Sequence, residues 1–247
     1  MDRHRGCQLP ISVTLTYRDI LDTERERRTE APLAVDVVSL LWAAAGAASG
    51  AVLAPRAQQL ANDAGAGRPL APPLVLEALT AALFAALAWR IGAHAEMLAD
   101  SWIAAIGVPL TATDIAVHRL PNRLVLPSYP IVIALLGLAA LLDHTPASLL
   151  RALAGMLTLL TLYALPYYLL PGAIAGGDVK LVGVLGLGLG WVSWGALLTG
   201  TFLAWILAAL SLFILRATHT VNRDAPIPLG AFLITGTLAT LLTSTVA

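Results

Sequence analysis

Charge is what this chain has least of. Only 12% of its 247 residues are Asp, Glu, Lys or Arg while 58% are hydrophobic, whereas soluble domains carry about 25% charged residues. With a mean hydropathy of +0.79, the chain is predicted to be an all-α, polytopic integral membrane protein embedded in a lipid bilayer. Cysteine is nearly absent: the single Cys7 excludes a disulfide framework within the chain and any Cys-based zinc site. The five histidines (His4, His94, His118, His144 and His219) are scattered over separate segments, and neither His-Glu-x-x-His nor Gly-x-Ser-Gly occurs. Serine and metal mechanisms therefore have little support. No metal and no nucleic-acid partner are expected.

The charge that is present clusters. Residues 1–33 hold six arginines (Arg3, Arg5, Arg18, Arg25, Arg27, Arg28) and six acids (Asp2, Asp19, Asp22, Glu24, Glu26, Glu30), with no apolar run of signal-peptide length. They read as a polar, disordered tail, or as the product of a start codon placed too far upstream. Beyond them come eight apolar runs, read as candidates to cross a bilayer core of roughly 30 Å. These lie at 34–54, 72–90, 97–117, 123–142, 146–170, 179–192, 194–216 and 226–246. Pro and Gly mark the turns, as at Pro69-Leu70-Ala71-Pro72-Pro73 and Pro171-Gly172. Trp191 and Trp194 suit an interfacial belt. Gly46 with Gly50 and Gly186 with Gly190 have the spacing of close helix packing in lipid.

Loop charges orient the spans. With the tail outside, one set of loops carries Arg56, Arg68, Arg119, Arg123, Lys180, Arg216 and Arg223, and the other only Arg90 and Arg151. The positive-inside rule makes the first set cytoplasmic.

Acids set in apolar sequence are costly, roughly 2.5–3.5 kcal/mol at a helix centre, so each is a functional-site hypothesis. Asp178 stands behind Gly176-Gly177, just before the sixth span, with Lys180 two residues on. Asp114 lies about one turn inside the end of the third span, before His118, Arg119 and Leu120-Pro121-Asn122. The two arrive at one membrane face from separate parts of the chain. Asp100 shares a helix with Asp114, but 14 residues of helix put it about 21 Å away, at the opposite surface. Asp36, Glu77, Glu96 and Asp143 read as interfacial, loop or packing residues, and Asp63 and Asp224 as solvated. Two carboxylates in one site cannot both ionise cheaply, so one keeps its proton while the other acts as base. Such a pair can activate water against a peptide carbonyl and protonate the leaving nitrogen. Lys180 and His118 stand close enough in sequence to bias which acid is charged.

These residues resemble the prepilin peptidases (type 4 prepilin leader peptidases), polytopic aspartic proteases of the bacterial inner membrane. The family pattern Asp-x5-Ile/Leu-Pro-Asn/Asp is similar to Asp114 through Leu120-Pro121-Asn122, and Gly-x-Gly-Asp-x-Lys is similar to Gly177-Asp178-Val179-Lys180. Fainter similarity extends to Gly46 through Gly50 and to Pro228 through Leu233. The resemblance covers roughly residues 103–215, a peptidase core set between N-terminal spans at 34–102 and the last span at 226–246. It implies Asp114 and Asp178 as catalytic residues, supported by Gly176, Gly177, Lys180, Leu120, Pro121 and Asn122. It also implies prepilins or pseudopilins as substrates, cut on the cytoplasmic side, with no cofactor for proteolysis. In bifunctional members the new N-terminus is also methylated with S-adenosylmethionine.

Two departures stand out. Ala175 replaces the first motif glycine, with an extra glycine at 176, and the loop at 55–71 lacks the paired Cys-x-x-Cys motifs of many bifunctional members. The competing readings are a transporter or proton relay, and a presenilin-like protease. The relay is disfavoured because both acids sit on one side. The presenilin-like reading is disfavoured because Thr113, not Tyr, precedes Asp114 and no Pro-Ala-Leu occurs.

Overall fold

The computed structural model describes residues 17–65, 70–92, 94–170, 172, 174–218 and 228–244, with side chains from residue 37 onward. The tail assigned to 1–33 lies outside the described residues as far as residue 16, and outside the described side chains beyond that. Eight helices occupy the described chain: α1 (Tyr17–Asp63), α2 (Pro73–Ile91), α3 (Met97–Val117), α4 (Asn122–Leu142), α5 (Pro146–Leu169), α6 (Gly176–Val192), α7 (Trp194–Ala217) and α8 (Leu229–Thr243). Their order follows the apolar runs, but α1 begins at Tyr17, within the expected tail, α8 is the shorter Leu229–Thr243, and two further differences bear on the site. α1 continues to Asp63, so half of the expected 55–71 loop is helix. α6 begins at Gly176, three residues before the expected 179, which makes Gly176, Gly177 and Asp178 a first helical turn rather than a loop.

The fold is that of a multi-pass membrane protein. Residues Val37–Asp63 of α1, together with α2, α4, α5 and α7, are long and apolar enough to cross a membrane, and only 17–33% of each apolar stretch is buried. The helices bearing the two acids differ. α3 is buried without interruption from Ile103 to Leu110, and α6 from Leu181 to Val192. They form the centre, where Leu110, Val132, Leu136, Leu187 and Ile234 meet in one core, while the apolar helices wrap them. A helix screened from lipid can carry Thr, Gly and Asp at less cost than one facing it.

With no hydrophobic drive between helices in lipid, association depends on close packing. A Cβ placed on Gly155 of α5 would lie 2.7 Å from the Gly186 carbonyl oxygen, and one on Gly186 would lie 2.8 Å from that of Gly155. The Gly186–Gly190 spacing is therefore the seat of the α5–α6 contact. Gly46 serves α1 and α2 in the same way, against Ala81 and Phe84.

The end of the bundle away from Asp114 is held by arginines that cap helices. Arg151 donates Nε–H to the Gly190 carbonyl at 2.9 Å and Nη2–H to those of Trp191 and Val192. Arg90 does the same for Leu242 of α8 and Ser244 just past its end, at 3.1 and 3.0 Å. These bonds satisfy terminal carbonyls that have no partner within their own helix. Trp191 does not join a belt: it is buried, with its indole N–H donated to Glu96, whereas Trp194 is exposed. Asp100 is also buried here, beside a polar cavity of about 550 Å³.

Gly186→Leu is expected to destabilise the protein by about 1–3 kcal/mol or more through overpacking. Gly137→Ala, whose added Cβ meets nothing within 4 Å, is expected to change stability by less than about 1 kcal/mol. Thermal unfolding of the detergent-purified variants checks both.

Candidate active site

Asp114 arrives on the last turn of α3, which ends at His118 in the left-handed conformation, φ 51°. Leu120 and Pro121 then turn the chain, and Pro121, with its φ of −69°, caps α4. Asp178 arrives on the first turn of α6. Both carboxylates are buried, 4% and 5% exposed.

The amino end of α8 brings them together. A Cβ built on Gly230 would lie 3.0 Å from Asp114 Oδ2 and 3.0 Å from Asp178 Oδ1. The two oxygens are therefore at most twice that distance apart, across a residue with no side chain. Asp114 Oδ2 accepts the Ala231 N–H at 3.0 Å, and the Gly230 backbone also hydrogen-bonds to this carboxylate. A helix amino end offers unpaired N–H groups and a partial positive charge, so it favours an anion placed there. Asp178 takes a backbone hydrogen bond from Ala175, the N-cap of its own helix, the N3-to-N-cap half of a capping box, the alanine supplying no side-chain return. The two acids repel each other electrostatically, whereas His118 acts on Asp114 in the opposite sense, favouring its charged form.

The supporting residues converge here. Leu120 fills the space between two glycines: a Cβ on Gly177 would come within 3.1 Å of Leu120 Cβ, and one on Gly230 within 3.0 Å of Leu120 Cδ1. Gly176 faces Tyr167. Lys180 donates to Asn122 Oδ1 at 3.1 Å, so it joins the two motifs and is not bonded to either carboxylate. Tyr129 strengthens the same seam by donating to the Lys180 carbonyl at 2.6 Å. Ala175 adopts φ −77° and ψ 142°, a region open to any L-residue. Only its backbone is used, so alanine fits where the family pattern has glycine.

Sequence reasoning missed two participants. The α8 amino end was visible as Pro228 through Leu233, but without a role. Tyr163 of α5 had no local signal. It is fully buried, its hydroxyl accepts the Trp205 indole N–H at 2.8 Å, and it interacts electrostatically with Asp178. Among the described residues no three His, Cys, Asp or Glu side chains converge on a metal position.

Ala175→Gly is expected to alter stability by less than about 1 kcal/mol. Gly230→Val, which drives methyl groups into two carboxylates and Leu120, is expected to cost about 1–3 kcal/mol or more. The same thermal measurement distinguishes them.

Comparison with known proteins covers this region. A model described as the type IV leader peptidase family matches residues 101–242, which include both acids. A prepilin leader peptidase/N-methyltransferase of Bacillus subtilis (strain 168) is 35% identical over 114 residues, 46% of this chain and 44% of that protein. A protein of the same description from Aeromonas hydrophila is 34% identical over 174 residues, 68% of this chain and 57% of that protein. The chain thus spans about half the length of these curated relatives. No solved structure matches it. The family match takes in more than half of the chain and both acid motifs, and the chain belongs to the type IV leader peptidase family.

Proposed function

We propose that the protein is a membrane-embedded aspartic endopeptidase that removes the basic leader from type IV prepilins or prepilin-like proteins. The observation that carries this reading is the pair of buried carboxylates, Asp114 and Asp178, facing each other across Gly230. One carboxylate is ionised and takes a proton from a water molecule whose oxygen attacks the scissile carbonyl. The other is protonated and gives its proton to the leaving nitrogen as the C–N bond breaks. The leader departs with a new carboxylate and the mature protein with a new amine. A helical substrate must unwind locally to expose that bond, which a glycine before the cut favours.

Loop charge supports cleavage on the cytoplasmic side of the bacterial inner membrane. The end bearing Asp114 and Asp178 carries Arg119, Arg123, Lys180 and Arg216, whereas Arg90 and Arg151 at the other end are bound to helix carbonyls and Arg56, expected in a loop, lies within α1. This is the distribution of the positive-inside rule.

The relatives' names also include N-methyltransferase, which implies S-adenosylmethionine as methyl donor. The cavity of about 370 Å³ beside the dyad, between the end of α1 and Leu120–Arg123, offers one acid, Asp63, and no aromatic face for an adenine. These residues do not fit that group.

Co-expression with a candidate prepilin, read by the mass of the product, tests the reading. Wild type is expected to remove the leader, and Asp114→Asn and Asp178→Asn are each expected to lower cleavage by at least about 10²-fold. Leader loss that persists in both variants overturns the aspartic mechanism. Proton flux without cleavage favours a relay, and one added methyl on the product places a methyl-transfer site elsewhere in the chain.

A further inference from the structure

α3 is one of the two central helices, yet it comes to the surface at the end that carries Asp114. Ile103 through Leu110 are buried, but one turn further Ile115 is 58% exposed. It is exposed because α2 and α8 stand apart at this level and leave a slot of about 1010 Å³ with α3 as its floor. Leu79 and Leu83 of α2 form one wall, and Thr235 and Ala239 of α8 the other. No charged side chain lines it.

Three features distinguish the slot from an ordinary lipid-facing furrow. It ends beside the carboxylate pair, although neither acid lines it: its α8 wall begins at Ile234, one turn beyond the Ala231 N–H that holds Asp114, and Thr111 and Ile115 of its floor flank Asp114 on α3. Its depth is that of a helix segment, since the α8 wall runs from Ile234 to Leu242, about 12 Å at 1.5 Å per residue. Among its leucines and isoleucines, short side chains recur at helical spacing, Thr235 with Ala239 on α8 and Ala112 with Ala116 on α3. Small residues so placed let another helix backbone approach closely in lipid, yet no helix among the described residues fills the space.

We propose that this slot receives the apolar transmembrane helix of the substrate, the segment that follows the scissile bond. The inference rests on the peptidase reading and adds the place where the substrate lies. A helix seated between α2 and α8 extends its first residues past Thr235 toward Gly230, which delivers the bond at its amino end to the carboxylates. The slot then selects membrane-anchored substrates, and the dyad cuts what the slot presents.

Cross-linking tests the position without turnover. Thr235→Cys is placed in a Cys7→Ser background that also carries Asp178→Asn, and a prepilin carries single cysteines along the first turns of its apolar helix. A disulfide is expected at Thr235→Cys and not at Phe213→Cys or Leu141→Cys, which are 71% and 75% exposed on other faces. Equal cross-linking at all three sites, or none at Thr235→Cys, overturns the proposal.

Thr235→Trp and Ala239→Trp fill the slot and supply the second arm. They are expected to lower cleavage of full-length prepilin at least tenfold while leaving a short peptide that ends soon after the scissile bond within twofold. Unchanged cleavage of both substrates overturns the slot while the peptidase reading stands. Failure of the otherwise unaltered protein to cleave either substrate overturns the peptidase reading, and the cross-links then judge the slot alone.

Discussion

Two buried carboxylates side by side repel each other and lose their hydration, and both costs grow in a low-dielectric bundle. The start of α8 offsets them. Its Gly230 and Ala231 N–H groups address Asp114, and the Ala175 backbone addresses Asp178. The arrangement works only because residue 230 has no side chain: a Cβ there would stand 3.0 Å from both acids and from Leu120. The turn at Leu120-Pro121, the glycines opening α6 and the late start of α8 are all parts of this meeting point.

Holding three helix ends at one point requires the rest of the bundle to be stiff. Glycine contacts let α5 and α6 touch backbone to backbone, and Arg151 then ties the far end of α6 to α5. Lys180, Asn122 and Tyr129 tie its near end to α4. Because α3 and α6 are surrounded by more apolar helices, their Asp, Thr and Gly residues are screened from lipid. The exception is the end of α3 beside Asp114, where α2 and α8 part.

Much of this was readable from residue order. Spans α2 to α5 and α7 were found within a residue or two, because in a chain this poor in charge a long apolar run bounded by Pro and Gly forms a membrane helix and little else. Both acids were found because charge at membrane depth is expensive. Less legible was anything decided by what a segment packs against. Gly176 and Gly177 read as lying before the sixth span but form its first helical turn, since Ala175 caps the helix and Leu120 needs the room. Trp191 read as interfacial because tryptophan often is, but Glu96 of another helix draws it inward. Lys180 read as a charge beside Asp178 but is bonded to Asn122.

By itself the sequence determined that the chain enters a membrane, roughly where its helices lie, and that Asp114 and Asp178 reach the same end. Length, hydropathy and the alternation of span direction are properties of the chain alone. Only the tertiary structure decided that the two carboxylates face each other, that the α8 amino end lies between them, that Tyr163 stands behind Asp178, and that a slot opens beside them. Those facts depend on distances between segments far apart in the chain, which helix packing sets and no local pattern encodes.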